Sequence, residues 1–434
     1  MSPVNVQPSG KKSPLIRTAF SLAFVLLAVA PQPTRAADKG ESSATSALSA
    51  WLEGKELSDS VLTLLAAQPF ASVALAKDEA EQVEKQLWNA RREFLRADRR
   101  AEMDAREIAI DELKMPFWYQ VFGDEPADGR SLFISMHGGG GAPAAVNDQQ
   151  YENQKKLYQP AEGVYLVPRA ASNTWDLWHQ THIDQFFDRL ITNMIVLENV
   201  NPDRVYIMGY SAGGDGVYQL APRMADRLAA AAMMAGHPNE SRPEGLRNIG
   251  FTLHIGALDA AYNRNAVAAE WGKNMDALQA ADPEGYVHEI TLHDGRGHWM
   301  NLQDAVAVPW MAKFTRNAWP KKVVWIQDDV RHARFYWLKV SQESAKAGDE
   351  VVASLDGNSV QIEKCSAGQL TLLMNDRLLN LDQPVKITRP DGTFTEQTLV
   401  RTIATVAESL KERNDPAGLV TATAKIDLSD GDRQ

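Results

Sequence analysis

The sequence predicts an α/β fold in which a mainly parallel sheet is flanked by helices. Between residues 107 and 318, short apolar runs alternate with longer amphipathic segments, as the strands and crossover helices of a parallel sheet do. Glycine-rich turns directly follow two of the apolar runs. After residue 319 the pattern changes to short strand-like runs separated by turn residues, which is typical of a small antiparallel β region.

The 434-residue chain is long enough for two or three domains. We expect a signal peptide at residues 1–37, a linker and helical extension at 38–106, and the main α/β domain at 107–318. A small β-rich domain follows at 319–434. With 44% hydrophobic residues the chain can bury a large core.

The first 37 residues are typical of an export signal. Lys11, Lys12 and Arg17 precede an apolar run at 18–30, and small residues at 34–36 suit a cleavage site. A membrane anchor is the alternative, but a 13-residue helix rises only about 20 Å, short of the ~30 Å hydrocarbon core. We therefore predict a periplasmic or secreted protein, with no later run long enough to span a bilayer.

Charge and cysteine content exclude some partners. The net charge is −11, and about −15 without the basic signal segment. Such an acidic surface argues against binding to nucleic acid or to anionic membranes. Cys365 is the only cysteine, so an internal disulfide and metal sites built on cysteine pairs are excluded.

Amphipathic periodicity predicts a helix within residues 47–106. Apolar residues recur at alternating steps of four and three, which places them on one helix face. They are Val83, Leu87, Ala90, Phe94, Ala97 and Ala101. We expect this face to pack against the main domain; a dimeric coiled coil is the alternative, but its seam is half alanine.

The individual elements follow from the apolar runs. The strands predicted for the main sheet are residues 132–136, 164–168, 204–208, 229–234, 252–255 and 287–292. The predicted helices are 185–198, 213–224 and 266–280. The strands predicted for the C-terminal region are 323–326, 334–340, 350–355, 359–363, 370–374 and 384–388, with a helix near 400–413.

The strongest local motif is G-Y-S-A-G at residues 209–213, between an apolar strand and an amphipathic helix. A serine hydroxyl can act as a nucleophile when a tight strand-to-helix turn projects it toward a base. Glycines two residues to either side leave room for that turn. We therefore predict Ser211 as a nucleophile. An ordinary glycine-rich βαβ turn is the alternative, whereas the dinucleotide spacing G-x-G-x-x-G is absent.

The second motif is H-G-G-G-G at residues 137–141, directly after a predicted strand. Consecutive glycines allow backbone N–H groups to approach a developing oxyanion closely. The predicted donors are the N–H of Ala212 and that of Gly139 or Gly138. We expect a structural role for His137. A flexible loop without a role is the alternative.

A serine nucleophile needs a base, and the base needs an orienting acid. Asp259 follows a predicted strand and lies 48 residues after the nucleophile, and we predict it as the acid. His298 follows the next strand in a glycine-bounded loop, and we predict it as the base. Asp294 and His293 are the rival candidates. We expect no metal ion, because the two loop histidines lack a third ligand.

Four aromatic residues are weaker candidates for substrate contact. They are Trp175, Trp178, Tyr210 and Tyr262. Trp175 and Trp178 follow a predicted strand, and Tyr262 comes shortly after the predicted acid. Packing of these loops onto the domain explains the tryptophans equally well.

Together, the residues of both motifs, Asp259 and Gly297-His298 resemble the α/β-hydrolase superfamily. Over residues 117–314 the chain particularly resembles the secreted esterases grouped with polyhydroxybutyrate depolymerases and feruloyl or acetylxylan esterases. The resemblance implies that Ser211 attacks the carbonyl, His298 transfers the proton and Asp259 orients the imidazole. It also implies acyl-enzyme hydrolysis of a small or polymeric ester, without a cofactor.

Two other functions remain open from the sequence. A peptidase resembling prolyl oligopeptidases would use the same three residues, but that class usually guards its site with a large preceding domain. A surface-binding protein on a hydrolase scaffold would have no need for all three groups. We therefore predict a carboxylic ester hydrolase.

Overall fold

The computed structural model describes residues 43–428. The predicted signal peptide lies outside these residues. Within them, no helix combines the length and apolar character needed to cross a bilayer. In the same range, no group of three or more His, Cys, Asp or Glu side chains is arranged to hold a metal ion.

The helices in this range are distributed along the whole chain. They are α1 Ser43–Leu52, α2 Asp59–Ala66, α3 Lys77–Asp98, α4 Arg100–Ala105, α5 Ala144–Gln154, α6 Thr181–Leu197, α7 Ala212–Arg223, α8 Arg264–Ala281, α9 Ala307–Met311 and α10 Ile403–Glu412.

The strands form three sheets. Those of the main sheet are β1 Glu107–Ile110, β2 Leu113–Phe122, β3 Arg130–Met136, β4 Gly163–Pro168, β5 Val200–Tyr210, β6 Ala230–Met234, β7 Gly250–Gly256 and β8 His288–His293. Those of the C-terminal region are β9 Lys322–Ile326, β10 Arg334–Phe335, β11 Leu338–Lys339, β12 Glu350–Asp356, β13 Ser359–Cys365, β14 Gln369–Met374, β15 Val385–Thr388, β16 Phe394–Gln397 and β17 Ala422–Asp427.

The main sheet has the order β1-β2-β4-β3-β5-β6-β7-β8. Strand β2 pairs antiparallel with β1 and β4, and all other neighbours are parallel. The six predicted strands correspond to β3–β8, so the α/β fold with a mainly parallel sheet is confirmed. Strands β1 and β2 were not predicted; β2 is largely exposed or half-buried, and Pro116 interrupts its apolar residues.

The parallel pairing determines where functional residues meet. Strands β3, β5, β7 and β8 run in the same direction, so their carboxyl ends lie along one edge. Strands β3 and β4 are buried almost throughout, so packing on both faces holds this edge in place. Loops that leave this edge are the expected place for a site.

The C-terminal region contains a four-stranded sheet, β10-β11-β14-β17, and a five-stranded sheet, β16-β15-β13-β12-β9. Their pairs are antiparallel except β13 with β15, which are parallel. The single strand predicted at 334–340 is instead the short hairpin β10–β11. One hydrophobic core runs from the main sheet into these strands, and the boundaries proposed at residues 106 and 318 stay predictions.

The N-terminal helices share a second core with α10, so they pack on the C-terminal helix and not only on the main domain. On α3, Val83 and Leu87 are buried as predicted, whereas Ala97 on α3 and Ala101 on α4 are exposed; the predicted face is wrong at these two positions. The buried face instead continues through Arg91, whose guanidinium pairs with Asp59 at 2.5 Å. An apolar pattern cannot reveal a buried cation that is satisfied by a partner from another helix.

Candidate functional site

Ser211 lies in the turn between β5 and α7. Its backbone has φ 58° and ψ −120°, a strained conformation for a residue with a side chain. A Cβ on Gly209 would lie 2.2 Å from the carbonyl oxygen of Gly213, and a Cβ on Gly213 would lie 2.1 Å from that of Met136. Both positions therefore require glycine. The Ser211 N–H donates to Met234 at the end of the neighbouring strand, at 2.9 Å, which fixes the turn to the sheet.

Three predicted residues meet at the carboxyl edge of the sheet. The Nε2 atom of His298 lies 2.9 Å from the Oγ atom of Ser211. On the other side of the ring, Nδ1 lies 2.7 Å from Oδ2 of Asp259. The carboxylate is buried and the His298 side chain is 43% exposed. Solvent is therefore excluded from Asp259, whereas the side of the His298 ring near the Ser211 hydroxyl is accessible.

The rival candidates lie elsewhere. The ring of His293 contacts His254, with 3.2 Å between Nε2 and Nδ1. Burial lowers the pKa of His254 to about 3, so this partner is neutral at ordinary pH. Asp294 is exposed in the following turn.

The loop that carries Asp259 is held by its own backbone. The Asp259 N–H donates to Gly256 at 2.9 Å, and its carbonyl accepts from the Asn265 N–H at 3.0 Å. The Asn265 side chain also donates to the carbonyl of Ala257 at 2.9 Å. Arg264 lies 3.8 Å from Oδ1 of Asp259, so a cation faces the carboxylate oxygen that the imidazole does not use.

The glycine-rich loop after β3 borders Ser211. A Cβ on Gly138 would lie 3.2 Å from the Cβ of Ser211. Gly139 and Gly140 have φ of +109° and +88°, which L-residues rarely adopt. The N–H of Gly140 donates to Oδ1 of Asn147 at 2.9 Å. This bond fixes the loop and occupies the Gly140 donor.

His137 has the structural position that the sequence predicts. Its Nε2 accepts from the Ala170 N–H at 3.2 Å, and Nδ1 lies 2.6 Å from the carbonyl oxygen of Gly138. Burial lowers its pKa to about 4, so the ring is neutral near pH 7. The indole N–H of Trp178 donates to the His137 carbonyl at 2.9 Å.

The four aromatic candidates divide into two pairs. Trp175 and Tyr262 are 63% and 77% exposed and can be reached from solvent. Trp178 is completely buried, and the prediction that it contacts substrate is wrong because it packs in the core. Tyr210 is 7% exposed, and its hydroxyl is bonded to the loop of His298; substrate contact by Tyr210 stays a prediction.

Sequence reasoning missed two residues at the site. Trp299 is 49% exposed and directly follows His298, a position that could have suggested it as a site residue. Asn147 is buried and shapes the glycine-rich loop. No sequence signal identifies Asn147, because its contact depends on how α5 folds back over the loop.

Comparisons with known proteins agree with the resemblance. Residues 157–329 match the family model described as the dienelactone hydrolase family. The bifunctional acetylxylan esterase/xylanase XynS20E of Neocallimastix patriciarum is 32% identical over 111 residues, 25% of this chain and 16% of that protein. NocK of Nocardia uniformis subsp. tsuyamanensis, a candidate esterase, is 28% identical over 158 residues, 32% of this chain and 44% of that protein. The chain therefore spans less than half the length of either relative.

Solved structures also match. A thermostable esterase aligns with a TM-score of 0.36 and 17% identity over 48% of this chain and 62% of that chain. Poly(aspartic acid) hydrolase-1 from Sphingomonas sp. KT-1 aligns with a TM-score of 0.37 and 12% identity over 47% of this chain and 97% of that chain. The family match, together with the sheet, confirms the predicted resemblance to the α/β-hydrolases.

Proposed function

We propose that this protein hydrolyses carboxylic esters through an acyl-enzyme intermediate on Ser211. The observation that carries the proposal is the continuous hydrogen-bonded array from Ser211 Oγ through the His298 ring to Asp259, with distances of 2.9 and 2.7 Å. A serine hydroxyl, an imidazole and a buried carboxylate in this order form the arrangement that activates serine for acyl transfer.

The two chemical steps follow from this geometry. In the first, Nε2 of His298 removes the proton of Ser211 as Oγ attacks the ester carbonyl carbon. The imidazolium then gives that proton to the departing alcohol, which leaves an acyl group on Oγ. In the second, His298 takes a proton from water, the hydroxide attacks the acyl carbon, and the free acid departs as Oγ is protonated again. Asp259 keeps Nδ1–H oriented and stabilises the positive ring.

The negative oxygen of each tetrahedral intermediate needs preorganised donors. The N–H of Ala212 lies at the first position of α7, where helix N–H groups have no partner within the helix. The glycine-rich loop borders Ser211, so Gly139 or Gly138 supplies the second donor. Because Gly140 already donates to Asn147, we exclude it from this role.

The surroundings of Ser211 suggest the first substrates to test. Trp175 and Tyr262 have exposed rings on loops of the site, as does Trp299. Exposed rings suit the apolar faces of an acyl chain, an aromatic acid or a sugar. The relative described as an acetylxylan esterase makes small acyl groups on carbohydrate a reasonable starting point. The export prediction would place such a substrate outside the cytoplasm.

Turnover of a p-nitrophenyl acyl ester, compared with that of a peptide anilide, tests this proposal. We expect ester hydrolysis and labelling of Ser211 by a fluorophosphonate. Turnover of the anilide alone would favour a peptidase. A folded protein that is neither labelled nor active would favour a binding protein and contradict the proposal. A panel of esters graded by acyl size would then define the acyl group.

A further inference from the structure

The hydroxyl of Tyr210 lies behind the His298 ring and contacts the loop that carries it. It donates to the carbonyl oxygen of His298 at 2.6 Å and accepts from the backbone N–H of Met300 at 3.0 Å. One side chain thus holds the backbone of His298 itself and that of the residue two positions later. We propose that Tyr210 is a positioning residue that fixes His298 relative to Ser211; this inference rests on the proposed function.

The position of Tyr210 in the chain makes it suited to this task. It is the last residue of β5 and immediately precedes Ser211, so its backbone is part of the sheet edge that fixes the nucleophile. Its ring packs against that of His298, with 6.0 Å between centroids, and against that of Trp299 at 5.6 Å. Tyr210 is therefore bonded to Ser211 along the chain and contacts His298 through its side chain, so it can fix the position of one relative to the other.

The loop that Tyr210 holds needs such a restraint. It follows β8 and contains Gly295 and Gly297, and Gly295, Asn301 and Leu302 have positive φ angles. A chain of this composition has access to many conformations in the absence of fixed contacts. The Met300 side chain is buried, so its N–H has no access to water as a substitute partner if the hydroxyl is removed.

Tyr210→Phe removes only the hydroxyl and keeps the ring. A displacement of about 1 Å at a reacting group can lower the rate by roughly 100-fold. We therefore expect kcat to fall about 10- to 100-fold, with KM within about threefold, because the hydroxyl faces the loop and not the substrate. Fluorophosphonate labelling counts the folded sites to which kcat is normalised.

Tyr206→Phe is the matched control. Tyr206 lies on the same strand, is buried, and donates its hydroxyl to the backbone carbonyl of Phe314 at 2.8 Å. Its removal eliminates a hydrogen bond from a buried tyrosine to a backbone carbonyl without touching the His298 loop. We expect Tm to decrease in both variants, more in Tyr210→Phe because that hydroxyl makes two bonds to the backbone, and kcat to be unchanged in Tyr206→Phe.

An unchanged kcat in folded Tyr210→Phe, or equal kcat losses in both variants, would overturn the inference. If Tyr210→Phe does not fold, hydrogen exchange of the Met300 amide in the wild-type protein tests the inference instead. The Met300 amide should exchange slowly, and exchange at the rate of an exposed loop would show that the hydroxyl does not hold it. An inactive, unlabelled wild-type protein would instead count against the proposed function itself.

Discussion

The Ser211 site lies at the carboxyl ends of the main-sheet strands, whereas a charged cluster lies near the amino ends of β5 and β6. Both contain a buried aspartate, but the partners of that aspartate differ. We call the charged cluster the junction cluster: Arg227, Arg316, Arg413, Asp226 and Asp415. Arg316 forms two bonds to Asp415, at 2.7 and 3.0 Å, and Arg413 pairs with Asp226. Arg227 lies 3.3 Å from Asp415. Four of these side chains are almost completely excluded from solvent, and Arg413 is 14% exposed.

The difference lies in the partner of the carboxylate. At the site, Asp259 faces the imidazole of His298, whose other nitrogen contacts the Ser211 hydroxyl on the side open to solvent. In the junction cluster the carboxylates face guanidinium groups, which keep their protons at any ordinary pH. The proposed mechanism moves protons through the Ser211 site, whereas the junction cluster joins the C-terminal region to the main domain. Substitutions in the two regions should separate activity from stability.

The largest expected effect is that of Ser211→Ala. Removal of Oγ eliminates the proposed nucleophile, and we expect kcat to fall roughly 10⁴-fold or more. Alanine keeps the Cβ and fits the same turn, so Tm should stay within a few degrees of the wild-type value. Ester hydrolysis and a thermal melt of the same sample are the two measurements. A variant with wild-type turnover would end the proposed role of Ser211.

Asp415→Ala should have the opposite result. It removes the carboxylate that Arg316 and Arg227 share, while Arg316 keeps Asp203 and Arg227 keeps Asp188 as partners. Removing one partner of a buried ion pair typically costs about 3–5 kcal/mol, and the remaining partners place this variant toward the lower end. We expect a large decrease in the free energy of unfolding in urea, with unchanged kcat per labelled site. Asp188→Ala is the matched control, since Asp188 pairs with Arg227 but is 45% exposed and should cost less than about 1 kcal/mol. Similar losses in both variants would contradict the role assigned to the junction cluster.

The two regions were also unequally predictable from the sequence. The steric requirements of the turn at Ser211 are local, because Gly209 and Gly213 must be small wherever such a turn occurs. The sequence motif therefore shows them directly. Asp259 and His298 each follow a strand, so the direction of a parallel sheet was enough to bring them together. The site was therefore largely predictable once the sheet was.

No local sequence motif predicts the junction cluster. Arg316 and Asp415 are 99 residues apart, and each resembles an ordinary surface charge in the sequence. Arg91 on α3 was missed for the same reason. The hydrogen bonds of the Tyr210 hydroxyl could not be predicted either, because the position of a tyrosine next to Ser211 in the sequence does not show which loop its side chain contacts. Contacts between distant charged or polar groups depend on the finished fold.

Acid should weaken the junction cluster. Burial raises the pKa of Asp415, but Arg316 and Arg227 outweigh burial and hold it well below its ordinary value of 3.8. A carboxylate with a depressed pKa stabilises the folded state above its unfolded pKa and loses that contribution as the pH falls. We therefore expect the free energy of unfolding to decrease below about pH 4. In Asp415→Asn this decrease should be smaller; an identical decrease would show that other groups cause it.

The smallest effect is expected at Asp215, one helical turn after Ser211. Burial raises its pKa to about 6, against the effect of a hydrogen bond from the His237 N–H. A raised pKa stabilises the fold below the unfolded value of 3.8, and that contribution is lost as the pH rises through the folded pKa. Asp215→Asn should therefore increase the free energy of unfolding by about 1 kcal/mol at pH 8 and by less at pH 4.

Asp294→Asn serves as the control for Asp215→Asn. Asp294 is an exposed aspartate in the loop of His298, and its substitution should change the free energy of unfolding by less than about 0.5 kcal/mol at either pH. Urea unfolding of both variants at pH 4 and pH 8 makes the comparison. A loss of stability in Asp215→Asn at pH 8 would mean that its carboxylate is well paired in the folded state. Asp215 would then resemble the paired carboxylates of the junction cluster. The contrast between the Ser211 site and the junction cluster would then not include the carboxylate on α7.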